Sequence, residues 1–183
     1  MKFERLAIPE VVLFSPARFG DARGFFSETW TARGMADAGI DLSFVQDNHS
    51  MSQAKGVLRG LHCQLEPHAQ GKLVRCVKGS IWDVAIDARR GSRTFGRHVA
   101  AELSAANWQQ LWVPPGFLHG FVTLEPDSEV IYKTTGFYDK DSERGIMWND
   151  PDLAIAWPVT DVQLSDKDKV LPGWAEMPAW FRV

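Results

Sequence analysis

Short apolar runs separated by turn residues recur along the whole chain, and few of them follow a helical period. Residues 3–14 predict two short strands around a turn at Pro9, and the Gly20-Asp21 pair with Gly24 marks a turn before another strand-like run. Further strands are predicted at 44–53, 57–64, 96–103, 109–113, 118–124 and 129–135. Many short strands at regular spacing are typical of an antiparallel sandwich or barrel, so we expect an all-β fold.

Helical signals are confined to two short segments. Residues 31–39 predict a helix that Thr31 caps and Gly39 ends, and Ser165 is suited to cap a helical turn over 165–169. The remainder of the chain after residue 139 is rich in loop-forming residues. We therefore expect only a few short helices beside the strands.

The segments 72–79 and 80–89 are both strand-like and meet at Lys78-Gly79-Ser80. A glycine between two apolar runs is typical of a tight turn, so this pair predicts a β-hairpin. Residues 65–71 (LEPHAQG) predict a loop that precedes the first of these strands.

The strand predicted at 57–64 contains an inconsistency if its polar residues serve one site. Successive side chains of a strand point to opposite faces, so Arg59 and His62 should diverge. Gly60 lies between them and permits a bulge, which resets the alternation. We predict an irregularity near Gly60 if both residues face one pocket.

A polar stripe follows the strand predicted at 44–53. By alternation, Gln46, Asn48 and Ser50 share one face. Such a stripe usually faces solvent, but it supplies hydrogen bonds to a polar ligand if it faces a pocket instead.

Composition narrows the class of protein. The 183 residues are 45% hydrophobic and 23% charged, which favours one ordinary globular domain over residues 1–183. A net charge of -3 argues against a nucleic-acid partner but does not exclude a small anionic ligand. We expect no membrane span, and with two cysteines and no leader-like pattern we expect a cytoplasmic protein with reduced thiols.

Several residues are candidates for proton chemistry. His62 carries an imidazole, which can take or give a proton under cell conditions, and Lys72 nearby can stabilise a developing negative charge. His119 follows the rigid Pro114-Pro115-Gly116 turn, and Tyr132 lies in an apolar run, where a hydroxyl can act as a general acid. Asp168 alone is more simply interpreted as a solvated carboxylate.

A metal site is an alternative interpretation of the two histidines. The spacing from Pro114 to His119 resembles the second motif of metal-binding cupins. The first motif requires a second histidine where this chain has Gln64, and a neutral amide is a poor ligand for a transition metal. We therefore expect no functional metal.

Nine segments together resemble the dTDP-4-dehydrorhamnose 3,5-epimerase family of the cupin superfamily. They are 21–28 (DARGFFSE), 44–50 (FVQDNHS), 56–64 (GVLRGLHCQ), 70–74 (QGKLV), 94–96 (TFG), 114–121 (PPGFLHGF), 132–133 (YK), 143–150 (ERGIMWND) and 164–168 (LSDKD). One motif alone is a weak signal, whereas several in the right order are specific. One departure is Cys63, where the family usually has tyrosine.

The resemblance implies a cupin-type antiparallel β-sandwich, or jelly-roll barrel, and assigns roles to residues. His62 would be the general base, Asp168 its orienting carboxylate, Tyr132 the general acid on the opposite face of the sugar, and Lys72 a catalytic cation. Substrate-binding positions implied by the same match are Arg23, Phe26, Glu28, Gln46, Asp47, Asn48, Arg59, His119, Tyr138, Glu143 and Lys167. Tyr138 or Phe26 would border the thymine.

The implied reaction inverts C3 and C5 of dTDP-4-keto-6-deoxy-D-glucose without redox change, so no cofactor is expected. The family also implies a homodimer with N-terminal strands shared between subunits. Three alternatives stay open: an enzyme that inverts C3 or C5 alone, a metal-dependent cupin, and a sugar-binding cupin without catalysis.

Overall fold

A computed structural model describes residues 1–183. It contains one α-helix, α1 (Ala32–Asp37), and 3₁₀ turns at Asp168–Val170 and Trp174–Glu176. The strands are β1 (Lys2–Arg5), β2 (Val12–Ser15), β3 (Phe19–Asp21), β4 (Gly24–Phe26), β5 (Gln46–Ser52), β6 (Leu58–Gln64), β7 (Lys72–Lys78), β8 (Ser80–Asp87), β9 (Arg89–Arg90), β10 (His98–Ser104), β11 (Gln110–Val113), β12 (Phe117–Thr123), β13 (Ser128–Thr134), β14 (Glu143–Gly145) and β15 (Phe181–Arg182).

Two antiparallel sheets form the body of the molecule. The six-stranded sheet has the order β1-β2-β11-β7-β13-β5, and the five-stranded sheet has the order β10-β8-β12-β6-β14. β3 and β4 form a separate hairpin, and β15 pairs in parallel with β9. The all-β prediction is confirmed, and no helix is long and apolar enough to cross a membrane.

The hairpin predicted at Lys78-Gly79-Ser80 is wrong. β7 lies in the six-stranded sheet between β11 and β13, whereas β8 lies in the five-stranded sheet between β10 and β12. The chain therefore turns a corner between sheets at Gly79. A Cβ on Gly79, which has φ +72°, would lie 2.4 Å from Oγ of Ser128, so the corner requires glycine.

The hydrophobic core fills one part of the space between the sheets. Alternate residues of β7 and β13 point inward, and Val74, Cys76 and Val130 belong to a cluster of 15 buried residues. Lys72 and Tyr132 share the same faces as these residues but line a cavity. The polar cavity thus continues the barrel interior beyond the core.

The irregularity predicted near Gly60 is present. Two steps along β12, from His119 to Phe121, match three steps along β6, from His62 to Arg59. Gly60 has φ +134°, and a Cβ there would lie 2.5 Å from Cα of Gly120. This bulge allows Arg59 and His62 to line one cavity.

The helical predictions are also confirmed. Oγ1 of Thr31 accepts a hydrogen bond from the amide of Gly34 at the start of α1. The amide of Asp168 donates to Oγ of Ser165 at the predicted turn, which is 3₁₀ rather than α-helical. The segment before this turn is held against β6, because the amide of Leu58 donates to the carbonyl of Gln163.

Candidate active site

A cavity of about 680 Å³ lies between the two sheets, and seven predicted site residues line it. They are Arg59, His62, Lys72, His119, Tyr132, Lys167 and Asp168. An adjoining recess of about 140 Å³ shares His62, Lys72 and Tyr132 and adds four more predicted residues: Gln46, Asn48, Tyr138 and Glu143. Eleven of the fifteen predicted residues therefore meet at one site.

The His62 imidazole is bonded to a carboxylate from the distant C-terminal segment. Nε2 of His62 lies 2.7 Å from Oδ1 of Asp168, whose side chain is only 4% exposed. Burial by itself raises the pKa of Asp168, but the hydrogen bond and charge of His62 and the Ser165 hydroxyl together hold it below its usual value. The ionised carboxylate accepts a hydrogen bond from the Nε2–H group, which leaves the lone pair on Nδ1 free. His62 is therefore arranged to act as a base.

A second histidine–carboxylate pair lies deeper in the cavity wall. Nε2 of His119 lies 2.8 Å from Oδ1 of Asp83, and the Asp83 side chain is fully buried. Oδ2 of Asp83 has no hydrogen-bond partner. Sequence reasoning missed Asp83, although a carboxylate inside the apolar run 80–88 was a usable signal, because buried charges are rarely left unpaired.

Lys72 opens β7 and projects into both cavities. Burial of its ammonium group lowers the pKa of Lys72 from its ordinary value. A partly desolvated cation in this position is available to bind a negative oxygen of a ligand.

Tyr132 projects into the cavity from β13, on the sheet opposite to His62. Burial raises the pKa of Tyr132, and the nearby charge of Arg59 only partly offsets this. The phenol therefore stays protonated at neutral pH and can donate a proton.

The open side of the recess carries charged and aromatic groups. Nζ of Lys167 lies 2.7 Å from Oε1 of Glu143, and the hydroxyl of Tyr138 donates to Oε2 of the same carboxylate at 3.1 Å. Burial raises the pKa of Glu143, but Lys167 and Tyr138 together hold it below its usual value. The exposed Tyr138 ring therefore has a fixed position at the rim.

Gln64, which sequence reasoning treated only as a broken metal motif, anchors the loop that carries Tyr138. Its amide nitrogen donates to the carbonyls of His68 and Phe137, and its amide oxygen accepts from the amide of Asp139. His62 and His119 each form a hydrogen bond with a different aspartate, and they do not come together with Gln64 as the ligands of one metal site would. No group of three or more His, Cys, Asp or Glu residues is placed to hold a metal ion.

Four predicted site residues lie away from the cavity. Asp47 occupies the other face of β5 and forms an ion pair with Lys133 at 2.9 Å. The remaining three, Arg23, Phe26 and Glu28, belong to the β3–β4 hairpin and the segment after it, and all three are exposed. The fold of one chain does not bring them to the cavity.

Comparison with known proteins identifies the family. Residues 5–176 match the family model described as dTDP-4-dehydrorhamnose 3,5-epimerase. The chain belongs to the dTDP-4-dehydrorhamnose 3,5-epimerase family. The family's enzyme from Pseudomonas aeruginosa is 56% identical over 171 residues, covering 92% of this chain and 93% of that protein. The enzyme from Shigella flexneri is 54% identical over 169 residues, covering 92% and 93%.

A solved structure from Legionella pneumophila supports the same assignment. It is described as dTDP-6-deoxy-D-glucose-3,5-epimerase in complex with dTDP-4-keto-L-rhamnose. It shares 44% sequence identity with this chain, covers 100% of it and 98% of the other chain, and superposes with a TM-score of 0.95. The two facing sheets described above are therefore the cupin fold of the epimerase family, and that prediction is confirmed.

Proposed function

We propose that this chain is the 3,5-epimerase that converts dTDP-4-keto-6-deoxy-D-glucose to dTDP-4-keto-L-rhamnose. One observation supports the proposal: the side chains of a histidine and a tyrosine project into one cavity from two facing sheets. Inversion at carbon requires a proton to leave one face of the sugar and return to the other. His62 on β6 and Tyr132 on β13 meet that requirement.

Proton removal is assigned to His62. The protons at C3 and C5 are acidified by the C4 ketone, yet remain too weakly acidic for a free imidazole. Asp168 fixes the neutral tautomer of His62 and stabilises the imidazolium that forms when the proton is taken. No redox change occurs in the sequence of steps, so the proposal needs no nicotinamide, flavin or metal.

Stabilisation of the enolate is assigned to Lys72. As the proton leaves, negative charge develops on the C4 oxygen, and an ammonium ion in a partly dry cavity stabilises it. Removal of one such donor costs about 3 to 4 kcal/mol of transition-state stabilisation in comparable oxyanion sites. His119, held by Asp83, borders the sugar on the same side as His62.

The nucleotide is assigned to the open side of the cavity. Arg59 and Lys167 supply cations for the diphosphate, and bidentate Arg–phosphate pairing suits an exposed guanidinium. Tyr138 offers an aromatic face to the thymine, beside the polar stripe of Gln46 and Asn48. Glu143 positions both Tyr138 and Lys167.

A homodimer completes this proposal. Arg23, Phe26 and Glu28 extend from the body on the β3–β4 hairpin, where Phe19, Phe25 and Phe26 are 63%, 53% and 70% exposed. Exposed aromatic groups on a projecting hairpin are typical of an interaction surface. We assign this hairpin to the site of a second copy, where Phe26 borders the thymine and Arg23 and Glu28 contact the nucleotide.

We place the enzyme, as a single domain over residues 1–183, in the cytoplasm. The two free thiols, Cys63 and Cys76, support a reducing compartment.

A coupled assay tests the function. The chain is incubated with dTDP-4-keto-6-deoxy-D-glucose, a reductase specific for dTDP-4-keto-L-rhamnose, and its nicotinamide cofactor. We expect oxidation of the cofactor that depends on this chain and formation of dTDP-L-rhamnose. His62→Ala should abolish turnover while the variant still binds dTDP, because the imidazole is assigned to chemistry rather than to nucleotide binding.

Solvent exchange separates double from single inversion. In D₂O without the reductase, deuterium should enter at both C3 and C5, as read by NMR. Deuterium at one carbon alone would replace this proposal with a mono-epimerase that uses the same four catalytic side chains.

A further inference from the structure

The turn between β10 and β11 is held by a dense set of hydrogen bonds centred on Asn107. Its side-chain oxygen accepts from the amides of Ser104 and Gln109, and its amide nitrogen donates to the carbonyl of Glu102. Trp108 follows with φ +65°, a backbone conformation that residues other than glycine and asparagine rarely adopt. The turn therefore fixes the direction of the Trp108 ring.

The Trp108 ring contacts the β3–β4 hairpin at its base. Nε1 of Trp108 donates to Oγ of Ser27 at 3.0 Å, and the Ser27 hydroxyl donates to the carbonyl of Ala17 at 2.8 Å. Residues 17 and 27 flank the hairpin on both sides. The indole thus ties the start and the end of the hairpin to the body of the molecule.

Two guanidinium groups and one aromatic ring surround the indole. Arg75, on the outer face of β7, lies 4.1 Å from the ring centroid, and Arg18 lies 5.0 Å from it and 4.4 Å from the Phe25 ring. Phe25 meets Trp108 edge-on at 4.9 Å. Neither arginine has a carboxylate partner, and Nε of Arg75 is buried without a hydrogen bond. Their favourable contacts are therefore with the aromatic rings.

This cluster determines which way β4 presents its side chains. Successive residues of a strand point to opposite faces, so contact of Phe25 with Trp108 turns Phe26 away from the body. Arg23 and Glu28 flank the same strand. The orientation of the three hairpin residues assigned to the nucleotide thus depends on the Trp108 contact.

We propose that Trp108 is a positioning residue that holds the β3–β4 hairpin for nucleotide binding in the partner subunit. The inference rests on the proposed function, since the homodimer and the role of the hairpin were assigned there. Trp108 contacts no group of its own cavity, and its effect is exerted on the site of the other chain.

Homodimeric variants give the first test. Trp108→Asn removes the ring with a residue that tolerates positive φ, so the turn is preserved. We expect KM, and the Kd for dTDP measured by calorimetry, to rise about tenfold. We expect kcat to stay within about twofold of the wild-type value, because the substitution weakens binding and leaves the chemical step unchanged. Trp108→Phe, which keeps an aromatic ring, should recover most of the affinity. Ser27→Ala removes both the hydrogen bond from Nε1 of Trp108 and the one to the carbonyl of Ala17, and it should raise KM by less than Trp108→Asn does, because the ring contacts remain.

Mixed dimers decide whether the effect acts on the partner. Two differently tagged chains are co-expressed and purified on both tags, with His62→Ala marking the inactive site. When Trp108→Asn lies in the chain with intact His62, the working site is served by a normal hairpin, and KM should match the wild type. When Trp108→Asn lies in the His62→Ala chain, the working site is served by the altered hairpin, and KM should rise about tenfold.

The reverse pattern, or an equal KM in both mixed dimers, would overturn the positioning role. The normal KM of the first mixed dimer also shows that Trp108→Asn folds and dimerises. If the wild-type chain binds dTDP but does not epimerise the sugar, the proposed function fails. In that case the dTDP Kd of the homodimeric variants still tests Trp108: it should rise about tenfold in Trp108→Asn and largely recover in Trp108→Phe, and an unchanged Kd in Trp108→Asn would overturn the positioning role.

Discussion

Oδ1 of Asp168 lies 2.7 Å from Nε2 of His62, although the two residues are 106 positions apart in sequence. Two contacts bring them together. The amide of Leu58 donates to the carbonyl of Gln163, and the amide of Asp168 donates to Oγ of Ser165. The buried carboxylate is thus held in place by the fold, and the His62 ring, at 21% exposure, remains open to the cavity.

Replacement of Asp168 by asparagine should lower kcat by about ten-thousandfold with little change in KM, by analogy with other His–Asp pairs. The amide keeps the shape of the carboxylate but does not stabilise the imidazolium. Asp166→Asn is a matched control, because Asp166 is two residues away, exposed and paired with Lys169. The coupled assay measures both variants. A kcat for Asp168→Asn within threefold of the control would contradict the role of Asp168.

Tyr132→Phe should leave deuterium exchange at C3 partly intact and prevent inversion at C5. In the proposed mechanism, proton removal by His62 does not require the phenol, whereas return of a proton from the opposite sheet does. Because burial raises the pKa of Tyr132, the wild-type hydroxyl is protonated at neutral pH. NMR of the sugar in D₂O reads both carbons. Full epimerase activity in Tyr132→Phe would assign the acid to another group.

Most of the strand pattern could be predicted from sequence, because alternation and turn residues are local signals. The bulge at Gly60 was predictable for the same reason, since the glycine lies between two polar residues that alternation separates. The corner at Gly79 was not predictable. A glycine between two apolar strands fits either a hairpin or a change of sheet, and only the pairing with β11 and β12 decides between them.

Long-range contacts of the site were predictable only where family motifs indicated them. Asp168 has the local sequence of a solvated turn, so its contact with His62 was expected from the family resemblance and not from any local signal. Asp83 was missed although its position inside an apolar strand was informative. Conversely, Arg23, Phe26 and Glu28 were assigned to the site, but one folded chain leaves them outside the cavity.

The alkaline side of the kcat profile should report Lys72. Its folded pKa is lowered by burial, so the ammonium ion loses its proton at lower pH than an exposed lysine, and enolate stabilisation is lost there. Lys72→Arg should have a lower kcat but keep its activity to higher pH, because guanidinium stays protonated. Lys133→Arg is the control, since Lys133 pairs with Asp47 on the outer face. Rates are measured by NMR to avoid the pH dependence of the coupling enzyme. Identical alkaline limbs in wild type and Lys72→Arg would rule out Lys72 as the group that titrates.

The two cysteines should resist alkylation in the folded protein. Burial raises the pKa of Cys63 to about 12 and that of Cys76 to about 11, so little of either thiol is the reactive thiolate at pH 8. Iodoacetamide should leave the native chain unmodified by mass spectrometry and label both positions in denaturant. Rapid native labelling of Cys63 would show that the residue beside the base is open to solvent.

Alanine substitutions at Gly60 and Gly24 distinguish the free-energy cost of an unfavourable backbone conformation from the free-energy cost of close packing. Their φ angles are +134° and +131°, but a Cβ on Gly60 would lie 2.5 Å from Cα of Gly120, whereas one on Gly24 would meet nothing within 4 Å. Gly24→Ala should therefore cost only the conformational term, about 1 to 3 kcal/mol of unfolding free energy. Gly60→Ala should cost about 1 to 3 kcal/mol more, because β6 and β12 must move apart.

Urea denaturation at one fixed protein concentration compares the two variants, since the proposed homodimer would make apparent stability depend on concentration. Gly60→Ala should also lower kcat more than Gly24→Ala, because the bulge is what turns Arg59 and His62 toward the same cavity. Equal losses of stability in the two variants would mean that β6 and β12 accommodate a methyl group at the bulge. The close approach of Gly60 to Gly120 would then not be what holds His62 in register with His119.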